Sequence, residues 1–447
     1  MNSSCCCELR IQLNEYPSFK LENAVCNHGF FMMAPNIWNP STQCFSRPLR
    51  LADSTTSINV TISQSSHENC LIVKLDHVKK ITSLDKKAIL GQVQRMLRLS
   101  LEDEKHVQEF QKIHPEAKEK GFGRIFRSPS LFEDAIKCFL LCYCRFQNTL
   151  KMAELLCDIQ FELLNGLITG KDNMILLNSN QGIKRKRNDD DSSMNTHLRN
   201  FPNAKELCCF DEDFLKKRGK TGLRSRYILE FARKVDSGEY KLREFEKCTS
   251  HIKLCQKLKE IKGFGKYAAA NMKMCLGFYT IVPIDSETKR HFEEIHGRSS
   301  CSSEVIKEIY GKYAPFQCLA FWFELLAYYE NSRHASFHTV DFNNKHLNKI
   351  EENIMPPPPE TAPSKNSSEL LPDSECGGNP HHVLEGGPSR DEDIQLVDVD
   401  VTMEGKANEL LLFGLFLKRL VINLDVKFVN KNSHIREAVT PIYLQDI

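Results

Sequence analysis

One short stretch of the sequence carries residues whose types and spacing could act on a nucleic acid. The triplet Gly263-Phe264-Gly265 separates two helical segments, and its glycines predict a tight turn because glycine adopts backbone angles that other residues resist. The second helix, over 266–278, would begin at this turn with free N–H groups, and such a terminus attracts a phosphate. Lys262 and Lys266 flank the turn and add positive charge. The pattern predicts a site that binds a phosphate backbone.

An aspartate follows at a defined distance. Asp285 ends the segment Val282-Pro283-Ile284-Asp285, twenty residues past Gly265, and Pro283 stiffens its approach. A fixed carboxylate stabilises the positive charge that develops on a sugar ring when an N-glycosidic bond breaks, and it can orient the attacking water. The alternative is that Asp285 only caps the next helix. The turn and the aspartate together favour glycosidic-bond cleavage over an ordinary helical hairpin.

The hairpin, the spacing and the Val-Pro-x-Asp segment together resemble the helix-hairpin-helix DNA glycosylases of the HhH-GPD superfamily. The resemblance implies an α+β fold: a mostly α-helical two-lobed body with a small N-terminal antiparallel sheet domain. It implies base-excision repair, in which a damaged base is flipped from duplex DNA and excised. Asp285 would be catalytic, and a basic surface would contact the DNA backbone. The residues expected to contact DNA are Gly263, Phe264, Gly265, Lys266, Lys262 and Arg224.

The position of one tyrosine bears on the reaction type. Members of this group that also cut the strand use a lysine to form a Schiff base, and by residue count that position is Tyr267 here. Its neighbour Lys266 would point elsewhere on a helix. We therefore expect a monofunctional hydrolase, with Tyr267 in the base pocket stacking on an alkylated or oxidised purine. The alternatives are a non-catalytic DNA-binding protein and a bifunctional glycosylase/AP lyase that uses Lys266.

A second match covers 121–158. Ser130 and Glu133 predict a capping box at the start of an amphipathic helix. The resemblance implies that the end of this helix fills the gap left by the flipped base, commonly with Asn or Gln. Tyr143 occupies that position here, so an aromatic ring could stack in place of a hydrogen bond. The alternative is that Tyr143 belongs to the core.

Alternating residues near the amino terminus predict a small antiparallel sheet, with strands over 43–51, 57–63 and 70–76. Residues 25–40, with Arg47-Pro48-Leu49-Arg50, resemble the opening of the sheet domain in 8-oxoguanine and 3-methyladenine II-type glycosylases. Within that group they are most similar to a plant branch.

The resemblance implies a sheet-plus-helix domain over 17–120 and a helical catalytic domain over 121–335. Composition predicts a disordered insertion at 170–200 and a largely disordered linker and tail over 336–447. The insertion contains Lys184-Arg185-Lys186-Arg187, which fits nuclear import or a phosphate-contacting loop. Localisation in the nucleus is the expectation.

Net charge, apolar content and cysteine positions indicate which cofactors and partners to expect. Net charge is only +2, and no apolar run is long enough to cross a membrane. Eighteen cysteines without a secretory signal fit free thiols in a reducing compartment. Only Cys301, Cys318 and Cys376 follow Asp285, too widely spread for an iron–sulfur cluster. We expect no metal or other cofactor, double-stranded DNA containing damaged bases as partner, no membrane association, and a monomer.

Overall fold

Alternating apolar and polar residues near the amino terminus form a five-stranded antiparallel sheet in the computed structural model. The strands are β1 (Cys7–Gln12), β2 (Ile37–Asn39), β3 (Cys44–Arg50), β4 (Ser57–Gln64) and β5 (Cys70–Leu75), in the order β1-β5-β4-β3-β2. Side chains that alternate along the strands, such as Val60, Ile62 and Val73, are fully buried on one face. The three predicted strands are confirmed as β3, β4 and β5. The outer strands β1 and β2 were not predicted, because β1 buries only Leu9 and Ile11 and β2 is only three residues long.

The structure describes residues 7–76, 78, 80–168 and 198–336, the last seven without their side chains. Fifteen α-helices lie in these ranges. Those before the hairpin are α1 (Leu21–Val25), α2 (Ser83–Met96), α3 (Leu101–Ile113), α4 (Pro115–Glu119), α5 (Leu131–Leu141), α6 (Phe146–Leu164), α7 (Ala204–Leu207), α8 (Glu212–Arg218), α9 (Arg224–Asp236) and α10 (Leu242–Glu246). The others are α11 (His251–Lys259), α12 (Lys266–Cys275), α13 (Ser286–His296), α14 (Ser303–Tyr310) and α15 (Gln317–Ser336), and short 3-10 turns occupy Gly29–Met32 and Gly311–Tyr313.

A buried ion pair joins the sheet to the helices. Arg47 on β3 donates to both carboxylate oxygens of Glu133 on α5, at 3.0 and 2.9 Å, and Lys137 Nζ lies 2.8 Å from Glu133 Oε1, close enough to pair but poorly aligned for a hydrogen bond. Ser130 does cap α5, accepting from the Glu133 backbone N–H at 3.2 Å. The Glu133 side chain, however, contacts Arg47 instead of returning to the cap. The predicted capping box is therefore wrong in its second half, because a buried arginine competes for the carboxylate.

Helix α5 lies at the centre of the helical body, where it packs against α6, α9 and α12. The described residues up to His334 fall in one compact unit. In the described ranges, no helix is long and apolar enough to span a membrane.

Several sequence predictions lie wholly or partly outside the described residues. These are the insertion at 170–200, the basic run at 184–187, and the tail from 337 onward. The end of the insertion is described, and Asn200 there is buried, with its backbone N–H donating to Gln160 Oε1 at 2.8 Å. The last three residues of the predicted insertion, 198–200, thus lie in the described part of the chain. The domain boundaries stay predictions.

Candidate active site

The glycine turn between α11 and α12 has the conformation that the sequence predicted at one of its two glycines. Gly263 has φ +82, in the left-handed region, and a Cβ built on it would lie 2.5 Å from Cγ of Tyr227. Only glycine fits this close approach to α9. Gly265 instead has an ordinary extended backbone (φ −74), and a Cβ there would meet open space. The expected conformational need for glycine is therefore confirmed at Gly263 and wrong at Gly265.

The side chain of Phe264 packs the turn against α5. Its ring packs edge-on against Phe139 of α5 at 4.5 Å between centroids, and its backbone N–H donates to the carbonyl of Ile261 at 3.1 Å. These two contacts hold Phe264 in the turn and against α5. Its contact with DNA stays a prediction.

The first turn of α12 is open and positively charged. Gly265 is the N-cap residue, so no side chain accepts from the first amide groups of the helix. Lys266, the first residue of α12, is exposed. Lys262 is exposed too, and its Nζ lies 3.4 Å from a carboxylate oxygen of Glu230. A phosphate can replace such an exposed ion pair at little cost. The glycine turn, the free amide groups of α12 and the two lysines thus lie together, as predicted.

Asp285 is the N-cap residue of α13, so the capping alternative describes its local geometry correctly. Its Oδ1 accepts from the Thr288 backbone N–H at 2.8 Å and lies 2.9 Å from the Thr288 hydroxyl. That hydroxyl also lies 2.8 Å from the carbonyl oxygen of Pro283. These contacts fix the orientation of the carboxylate. Capping does not exclude chemistry, because Asp285 also lines a cavity.

The cavity has a volume of about 120 Å³ and is bounded by residues from distant parts of the chain. Asp285 and Tyr267, predicted from the sequence, lie in its wall together. The other seventeen wall residues were not predicted as site residues; among them are His28, Gly29, Phe146, Asn271, Trp322 and Tyr329. His28 and Gly29 belong to the segment 25–40 near the amino terminus, whereas Trp322 and Tyr329 lie on α15. No local signal shows that they meet.

Two ionisable side chains that line the cavity, Tyr267 and His28, carry no charge near pH 7. Burial raises the pKa of Tyr267 well above its usual value, and the nearby Asp285 carboxylate raises it further, so the phenol stays protonated. Burial lowers the pKa of His28 to about 3, helped by the positive charges of Arg98 and Lys137, so its imidazole is neutral near pH 7. The aromatic rings of Tyr267 and Trp322 and the fixed carboxylate of Asp285 all line the cavity. Together they favour a planar ligand that is cationic or becomes cationic during the reaction.

Tyr143 lies in the loop between α5 and α6 and points into solvent. Its exposed fraction is 96%, and its φ of +51 is left-handed, which is uncommon for a bulky residue. The alternative that Tyr143 is a core aromatic is therefore wrong. Arg224 holds the loop, since its Nε donates to the Cys142 carbonyl at 2.8 Å and its Nη2 donates to the same oxygen. These bonds hold Arg224 against the loop, and its expected contact with DNA stays a prediction.

Lys266 is absent from the cavity wall, and no described residue lining the cavity is a lysine. As the first residue of α12 it precedes Tyr267, and the two side chains leave the helix in different directions. The geometry agrees with the sequence prediction that Lys266 points in a different direction from Tyr267.

Comparison with known proteins identifies the fold. No protein-family model matches the chain, and no curated protein sequence does. Among solved structures, it is similar to the 3-methyladenine DNA-glycosylase from Archaeoglobus fulgidus, with a TM-score of 0.50 and 15% identity over 72% of this chain and 99% of that one. It is also similar to MBOgg1 in complex with a low affinity DNA ligand, with a TM-score of 0.46 and 17% identity over 73% of this chain and 98% of that one. A third match is the apo-form of 8-oxoguanine glycosylase/lyase from Clostridium acetobutylicum, with a TM-score of 0.46 and 13% identity over 69% of this chain and 93% of that one.

Only the first of these similarities reaches a TM-score of 0.5, and at 15% identity it shows a shared fold. The predicted α+β fold, a helical body with a small N-terminal antiparallel sheet, is therefore confirmed. The plant branch stays a prediction.

Proposed function

We propose that this protein is a monofunctional DNA glycosylase that hydrolyses the N-glycosidic bond of a damaged purine. One observation carries the proposal: the oriented carboxylate of Asp285 lines a cavity together with Tyr267, which lies on the helix that follows the glycine turn. The hairpin would hold the DNA backbone while the flipped nucleotide enters the cavity. Asp285 would then stabilise the oxocarbenium-like transition state and orient water at C1′.

The cavity wall supports hydrolysis over lyase chemistry. A Schiff base requires an amine that reaches C1′, whereas the residue beside Asp285 is the protonated phenol of Tyr267. Aromatic walls from Tyr267 and Trp322 would stack on a base, most strongly on one made cationic by alkylation. An oxidised purine is the second substrate class that we propose.

The decisive experiment incubates the purified full chain with duplexes that carry 3-methyladenine, hypoxanthine, 8-oxoguanine or uracil. Asp285→Asn removes the charge but keeps a helix cap, so excision should fall by about 100-fold or more while binding to damaged DNA survives. Asp211→Asn is the matched control, because Asp211 caps α8 by accepting from the Phe214 N–H at 2.7 Å and does not line the cavity. That variant should excise like the parent.

Borohydride added during turnover tests the reaction type. No covalent protein–DNA adduct should form, since no lysine of the described cavity wall can supply the amine. An adduct that disappears in Lys266→Ala would make the enzyme bifunctional. Tight DNA binding without excision of any lesion would instead favour a non-catalytic DNA-binding protein.

Import into the nucleus accords with this activity and is part of the proposal. It can be tested by replacing 184–187 with alanines in a fluorescent fusion. Unchanged nuclear accumulation of that variant would refute the import role of the basic run.

A further inference from the structure

Three metal-ligating side chains converge at the far end of α13 from Asp285. His291 and His296 lie on α13, and Glu324 lies on α15. Their donor atoms, Nε2 of each histidine and a carboxylate oxygen of Glu324, all fall within 4.8 Å of one another. In the described part of the chain this is the only group of three or more such side chains with this geometry.

One carboxylate oxygen is the centre of the cluster. Glu324 Oε1 lies 2.7 Å from His291 Nε2, 2.7 Å from His296 Nε2 and 2.6 Å from the Tyr310 hydroxyl. A carboxylate oxygen offers two lone pairs, so three donors on one atom are more than it serves well. A cation between the ligands would instead let each histidine present a bare nitrogen and leave Tyr310 as the donor to Glu324.

Burial differs across the cluster in a way that allows loading from solvent. The His291 side chain is fully buried, whereas the side chains of His296 and Glu324 are 19% and 32% exposed. One ligand is thus held rigidly and two lie at the surface. Water can take the remaining coordination position on that side.

We propose that His291, His296 and Glu324 form a binding site for a divalent transition metal ion, with Zn²⁺ as the best-suited species. Two imidazole nitrogens and one carboxylate are a ligand set that Zn²⁺ accepts with nearly tetrahedral geometry. The ligand atoms must separate slightly around the ion, since Zn–N and Zn–O bonds are about 2.0–2.2 Å long. This site departs from the sequence-based expectation of no metal.

The metal would act on structure, not on the reaction. It would tie the C-terminal end of α13 to α15, whose side chains Phe321, Trp322 and Leu325 line the cavity on the side of Asp285. His291 Nδ1 is buried without a hydrogen-bond partner among the described residues. Metal-bound histidines usually donate this second nitrogen to an acceptor, so we expect a weaker site than one with complete outer contacts.

The test uses the full-length protein, stripped of metal with a chelator and dialysed. Zn²⁺ binding is measured by calorimetry, and Co²⁺ binding by its visible spectrum. One ion per chain should bind, the melting temperature should rise with added Zn²⁺, and the Co²⁺ spectrum should lack thiolate-to-metal charge-transfer bands. The absence of these bands distinguishes the proposed site from binding at the many cysteines, which would bind the metal through sulfur.

Two variants and a control complete the experiment. His296→Ala and Glu324→Gln should each lower Zn²⁺ affinity at least tenfold, and Glu324→Gln keeps an oxygen acceptor so that the fold is preserved. His67→Ala, at an exposed position in the loop between β4 and β5, should bind Zn²⁺ like the parent. The absence of saturable binding in the parent, or binding that both variants retain, would overturn the proposal and leave the cluster as a hydrogen-bonded group only. Base excision is not part of this readout, so failure here leaves the proposed function untouched.

Discussion

The two glycines of the hairpin have different roles, and replacing each by alanine separates them. At Gly263, a Cβ would lie 2.5 Å from Cγ, 2.8 Å from Cδ1 and 2.9 Å from Cβ of Tyr227. Tyr227 is 37% exposed, so its ring can rotate aside, but its Cβ is fixed to the backbone of α9. The turn itself must therefore move away from α9 in Gly263→Ala.

The expected magnitude has two parts. Holding a residue with a Cβ at φ +82 costs roughly 1–2 kcal/mol, and relieving the overlap with α9 costs about 1–3 kcal/mol, as in other overpacked sites. We expect Gly263→Ala to lose about 2–5 kcal/mol of unfolding free energy in urea. Binding to abasic DNA should weaken by at least tenfold, since the displaced turn misplaces the first amides of α12.

Gly265→Ala is the matched control in the same turn. Its φ of −74 suits any residue and the new methyl group meets open space, so the unfolding free energy should change by less than about 0.5 kcal/mol. DNA affinity should fall much less than in Gly263→Ala. Equal stability and DNA affinity in Gly263→Ala and the parent would refute the account of the turn, and so would equal losses in the two variants.

Two further predictions concern stability and the exposed loop. Burial alone would raise the pKa of Glu133, but Arg47 and Lys137 outweigh it and lower the pKa from 4.5 to about 2. Because the folded pKa is depressed, this stabilisation is present above pH 4.5 and is lost as the pH falls toward 2, on the order of 3 kcal/mol in all. Glu133→Gln should therefore lower the free energy of unfolding in urea by about 3–5 kcal/mol at pH 7, because it leaves Arg47 without its carboxylate partner. This difference in unfolding free energy between the variant and the parent should narrow at low pH, and a constant difference would contradict the prediction. Tyr143→Ala should leave the melting temperature unchanged because Tyr143 is 96% exposed. It should nevertheless slow single-turnover excision by the equivalent of about 1–3 kcal/mol of lost stacking. Excision at the parent rate would exclude Tyr143 as the group that fills the gap in the DNA.

Local patterns in the sequence were sufficient for the elements of the hairpin. The glycine at 263, the helical periodicity on either side and the distance to Asp285 all depend on residues close together in the chain. The same holds for β3, β4 and β5, whose alternation follows from one buried face. Such features are short-range, because backbone angles and side-chain periods are set within a few residues.

The residues that these elements contact depend on the tertiary structure. Glu133 follows the capping pattern, but Arg47, which lies 86 residues away, takes its carboxylate. Arg224 is basic like its neighbours, yet its guanidinium contacts the Cys142 carbonyl, 82 residues away, instead of solvent. His291 and Glu324 are 33 residues apart and converge because α13 and α15 pack together. In each case the energy of a long-range contact between charged or polar groups outweighed a local preference that is small in comparison.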